Sequence, residues 1–167
     1  MSLFNSSVPA FIQILTSLSA ILDKAEAHAA AKNIQPETLL NARLFPDMFP
    51  FARQVQTTCD FAARGCARLA QVELPNTPNT EKSFGELKQR IAATLAYVKT
   101  FKATQFEGAE IREVEFPIGP GKTLTLKGQQ ALIHFILPNF YFHATTAYNI
   151  LRHNGVELGK RDFIGSV

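Results

Sequence analysis

Apolar residues recur three and four positions apart along four stretches of the chain, and each stretch predicts an amphipathic helix. In the first, Val8, Phe11, Ile12, Leu15, Leu18, Leu22, Ala25 and Ala29 form one broad stripe. Ser7 is placed to cap it, Pro9 falls in its first turn, and it should end near Lys32-Asn33. Pro36, Pro46 and Pro50 then break the pattern, leaving room for one short helical turn from Glu37 to Asn41. A second long helix is expected from Asp47 or Met48 to Ala70, with Pro50 in its first turn. Phe51, Val55, Cys59, Ala62, Cys66 and Leu69 share its inner face. After a loop rich in Pro, Asn and Thr, Ser83 and Glu86 form a capping-box pattern. It opens a third helix reaching about Phe101, with Leu87, Ile91, Leu95 and Val98 inward.

The period changes over residues 111–127. IREVEFPI alternates in part, GPG follows, and KTLTLK alternates again, which predicts a two-stranded hairpin turning at Gly119-Pro120-Gly121. A fourth long helix should run from near Gly128 to Arg152 or His153, kinked at Pro138 and ended by Gly155. The remaining tail reads as irregular. The pattern describes one mainly all-α domain over residues 1–167, a four-helix bundle with a β-hairpin inserted before the last helix.

Composition adds constraints. Fourteen phenylalanines with no tryptophan call for an aromatic core or a subunit interface. The net charge is +3, but the basic residues are scattered and form no stripe interleaved with aromatics. Nucleic acid is therefore not an expected partner. Cys59 and Cys66 lie about two helical turns apart, too far for a disulfide, and read as buried free thiols. No leader-like segment opens the chain, and no apolar run is read as long enough to span a membrane, so a cytoplasmic protein is expected.

Candidate chemistry concentrates in HFILPNFYFHATTAYNILRHNG. His143 sits among apolar neighbours, with Asn139 one turn before it and Thr146 nearly one turn after. Phe140, Tyr141 and Phe142 surround this polar line, and Tyr148 lies beyond it. Two readings are open. His143 is either a ligand or general base in a bundle pocket, or a buried histidine satisfied by local bonds. Arg53, Gln54, Gln56 and Asp60 flank the stripe of the second long helix, and the spacing does not choose which of them approaches His143. The cysteines read as packing residues. Arg64 and Arg68 flank Cys66 in sequence but do not face it.

The segments SVPAFIQILTSLSAILDKAEAHA, LNARLFPDMFP and PNFYFHATTAYNILRHNG resemble the bacterial family of domain of unknown function 1993 (DUF1993), and the resemblance covers nearly the whole chain. That family is similar in fold to the DinB/YfiT-like superfamily, up-down four-helix bundles described as candidate metalloenzymes. The resemblance implies a three-histidine metal site, with one histidine from the second helix and two from the last as His-x-x-x-His. His143 matches the second of that pair by its distance to Arg152 and Gly155. Asn139 stands at the first, and Gln54 or Gln56 stands on the second helix. Amide oxygens are poor ligands for the metals imidazole favours. No cofactor is therefore expected; the alternative is zinc or nickel held by His143. Three functions follow: a metal-free pocket protein binding a small molecule, a metal-dependent thiol transferase or hydrolase, and a non-catalytic structural or stress-associated protein. A homodimer is the expected assembly.

Overall fold

The computed structural model describes residues 2–166. Helix α1 spans Leu3–Ala31, α2 Pro36–Leu40, α3 Phe51–Leu69 and α4 Phe84–Lys99. A 3₁₀ turn at Ala103–Phe106 leads into strands β1 (Glu113–Gly119) and β2 (Lys122–Lys127). The short helix α5 (Gly128–Ala131) passes into a π-helical segment, Leu132–Ile136, and then into α6, Leu137–His153. Helix α7, Lys160–Ile164, ends the fold. In the bundle, α1 packs on α3, α4 and α6, while α3 packs on α4 and α6. The expected stripes meet in one core that includes Phe11, Leu15, Leu22, Phe51, Val55, Leu87, Ile91, Phe140 and Ile150. Phe11 and Phe140 join α1 to α6 edge to face, with ring centroids 4.8 Å apart.

Several boundaries differ from the sequence expectation, each for a local reason. Helix α1 begins at Leu3, so Ser7 is not its cap. Its hydroxyl is buried and donates to the Leu3 carbonyl at 2.6 Å, and Pro9 sits inside the helix. Helix α3 begins at Phe51 and not near Asp47, with Pro50 extended at its N-cap. Proline disfavours helical backbone at the residue before it, which keeps Phe49 out of a helix. The Arg43 guanidinium holds the preceding loop by donating to the Pro46 and Met48 carbonyls. The tail is not wholly irregular. Helix α7 docks on α1 through Lys24–Asp162 at 2.7 Å and through the Gln13 amide on the Ile164 carbonyl. By length and mean hydropathy α1 would suffice to cross a bilayer, contrary to the expectation that no run is long enough, but its apolar stripe is buried in the bundle core.

The hairpin forms as expected, with Glu113 opposite Lys127, Phe116 opposite Leu124, and a bulge between Pro117 and Gly119. Val114 and Phe116 face inward. Gly128 lets the chain leave the hairpin beneath residue 109, since a Cβ there would collide with the Ala109 carbonyl oxygen. Gly65 is the other close approach. A Cβ on it would meet Ile136 Cγ2 at 2.8 Å, so the π-helical segment lies directly against α3.

Candidate functional site

The π-helical turn precedes Pro138 in place of a simple kink at it. Leu137 N–H donates to the Leu132 carbonyl, five residues back. Pro138 has no N–H to give, and the Asn139 side chain donates to the Phe135 carbonyl at 2.7 Å. Asn139 is thereby committed to the backbone one turn earlier and does not join His143.

His143 is buried, with 9% of its surface exposed. Its Nδ1 lies 2.7 Å from Gln54 Oε1. The Gln54 amide is oriented by its other end, whose Nε2 donates to the Phe49 carbonyl at 3.1 Å. The oxygen must then face the imidazole, so Nδ1 carries the proton and Nε2 keeps its lone pair. The Phe49 and Phe61 rings lie within 20° and 16° of the imidazole plane, and Phe142 meets it edge-on at 5.3 Å. Burial, reinforced by the charge of Arg53, lowers the His143 pKa to about 4. The ring is therefore neutral at pH 7 and is too weak a base to hold a proton there.

The other expected site residues disperse. Gln56 donates to Glu81 at 3.0 Å, and Asp60 accepts from Arg90 at 2.7 Å, so both belong to an ion cluster between α3, α4 and the loop that joins them. The Thr146 hydroxyl is buried and donates to the Phe142 carbonyl within its own helix. Tyr141 is exposed. Tyr148 reaches the Leu158 carbonyl and packs on Phe163, away from His143. His134 and His153 are exposed, and His28 is half-buried. Cys59 and Cys66 are free and buried, and burial pushes both thiols up to about 12, which leaves them unreactive at neutral pH.

A cavity that shares Phe61 with the surroundings of His143 does not include the histidine. It has a volume of about 210 Å³, between α3, β1 and the π-helical segment. Thr57, Phe61, Arg64 and Arg68 line it from α3, at spacings of four, three and four that mark one helical face. Asp60 is the one expected site residue on its wall.

These features define a helical bundle in which α6 carries one oriented, neutral imidazole against α3. The chain belongs to the family described as Domain of unknown function (DUF1993), whose sequence profile matches residues 3–164. It is similar to a solved crystal structure of a DinB family member protein from Shewanella denitrificans. The two are 44% identical over 99% of this chain and 93% of that one, with a TM-score of 0.92. No curated protein matches the chain.

The three-histidine metal set implied by the superfamily does not fit these residues. The Gln54 oxygen is spent on His143 Nδ1–H and the Asn139 amide on Phe135. One imidazole nitrogen remains, where a zinc site needs three or four protein ligands. Among the described residues no cluster of three His, Cys, Asp or Glu side chains converges elsewhere.

Proposed function

We propose that this chain is a metal-independent, small-molecule-binding member of its superfamily, in which His143 offers Nε2 as a neutral hydrogen-bond acceptor. The observation that carries this reading is the chain from the Phe49 carbonyl through Gln54 to His143 Nδ1–H. It fixes tautomer and ring orientation as an outer partner does for a metal-bound histidine. Here it serves a single imidazole with aromatic walls. The buried thiols agree with a reducing, cytoplasmic setting. A metal-dependent thiol transferase loses support on the same donor chemistry.

The test is metal analysis of untagged protein purified without chelator, followed by zinc and nickel titration of wild type and His143→Ala. The expected result is substoichiometric metal and no binding that depends on His143. One equivalent of metal, lost in His143→Ala, would overturn the reading.

A further inference from the structure

The α3 cavity has an electrostatic character that the fold does not use. Arg64 Nε is sealed from solvent and has no hydrogen-bond partner. Among the described residues, neither Arg64 nor Arg68 makes an ion pair. Arg68 spends one nitrogen, Nε, on the Glu115 carbonyl at 2.9 Å and rests its guanidinium 5.1 Å from the centre of the Phe116 ring. Two like charges one turn apart on a helix repel, and a buried donor without an acceptor is costly. Burial, and secondarily the charge of Arg64, lowers the Arg68 pKa. The one carboxylate on the wall, Asp60, is already held by Arg90 at 2.7 Å and by the Thr77 hydroxyl at 3.2 Å. It does not neutralise the pair.

Apart from Gly65 and Thr57, whose hydroxyl is spent on the Arg53 carbonyl, the rest of the lining is apolar: Phe61, Phe116, Pro117, Phe135 and Ile136. A cavity of about 150 Å³ suffices for benzene, so one of 210 Å³ admits a ring with a small polar substituent. Apolar walls with a few convergent polar groups are the usual make-up of a small-molecule site, and guanidinium is the group that pairs with carboxylate through parallel N–H bonds. We propose that this cavity binds a small aromatic carboxylate, with its carboxylate on Arg64 and Arg68 and its ring between Phe61, Phe116 and Phe135. The proposal does not depend on His143, because metal titration there and carboxylate titration here fail separately.

The test is titration of the full chain with benzoate, benzyl alcohol and inorganic phosphate, followed by calorimetry and by amide chemical shifts. Benzoate should saturate, and the largest shifts should fall at residues 57–68, 116–117 and 135–136. Arg64→Gln should weaken benzoate about tenfold or more, and Arg64→Lys should recover only part of that, since it restores charge but not the planar fork. Benzyl alcohol should bind at least about tenfold more weakly than benzoate to wild type. Should Arg64→Gln fail to fold, Arg68→Gln and the comparison of the two aromatic ligands on wild type carry the same test. Absence of saturable benzoate binding overturns the proposal. Equal affinity for benzyl alcohol, equal affinity for phosphate, or full affinity in a folded Arg64→Gln does so too.

Discussion

The stability of His143 in its place depends on which protonation state its surroundings accept. Burial lowers its pKa, and the charge of Arg53 nearby adds to that. Both favour the neutral ring, while Gln54 Oε1, accepting from Nδ1–H, fixes its tautomer. The folded-state pKa of about 4 lies below the ordinary 6.5, so between these values the unfolded chain binds more protons than the folded one. Stability from this group is then fully present above pH 6.5 and is lost as pH falls toward 4, by at most about 3 kcal/mol. Urea unfolding of wild type and His143→Leu at pH 7.5, 6 and 4.5 checks this. The difference between them should shrink or reverse as pH falls, because leucine has no proton to take up. A constant difference across that range would mean that His143 is not held neutral. The burial of His143 was legible from its apolar neighbours at helical spacing. Its partner was not. Gln54 and Gln56 lie about 200° apart around a helix, and the rotation of α3 against α6 is set by packing that no local pattern records.

Helix α3 and the π-helical segment are fitted to each other through a missing side chain. Ile136 occupies the space a Cβ on Gly65 would fill, and its neighbour Phe135 reaches over to Phe61 and Phe116. In an exposed helix interior, replacing glycine by alanine would gain up to about 1 kcal/mol. Here the added methyl group forces Ile136 or the π turn to move, so Gly65→Ala should be destabilising by about 1–3 kcal/mol. Adding Ile136→Ala removes the colliding Cγ2 atom. The double variant should lose less stability than the sum of the single ones, measured by urea denaturation; strict additivity would show that the two positions do not press on each other. The stripes of α1, α3, α4 and α6 and the hairpin turn could all be read from spacing. The π turn could not. Proline at 138 announces only that an N–H is missing, and whether the helix bends or widens depends on what lies across from it. Arg64 and Arg68 are readable as one face by their spacing of four, but the aromatic wall that face meets comes from β1 and the π-helical segment, which no local spacing announces.

The connection between α3 and α4, residues 70–83, has no helix or strand of its own and is held by charge at its centre. Arg90 on α4 donates to Asp60 on α3 at 2.7 Å, to Glu81 at 3.0 Å and to the Pro78 carbonyl at 2.9 Å. Thr77 and Gln56 complete the cluster through Asp60 and Glu81. The side chains of Arg90, Asp60 and Glu81 are only 5%, 17% and 14% exposed. Burial alone would lower the Arg90 pKa, but the bond to Glu81 and the two carboxylate charges outweigh it and hold the pKa above its ordinary value. Asp60 thus ties two helices and a loop together and does not approach the last helix, as its position on the flank of the α3 stripe allowed. Residues 60, 81 and 90 come together only once the bundle has formed, so no local motif announces them. Removing the cation would strand two half-buried carboxylates beside each other. Arg90→Met should therefore cost about 3–5 kcal/mol, more than its lost packing accounts for. It should also speed proteolysis within residues 71–82, because the loop loses its anchor. Adding Asp60→Asn to Arg90→Met removes one orphaned charge and should return part of the loss. If the double variant is no more stable than Arg90→Met, the cluster is a solvated surface network and the loop is held by something other than charge.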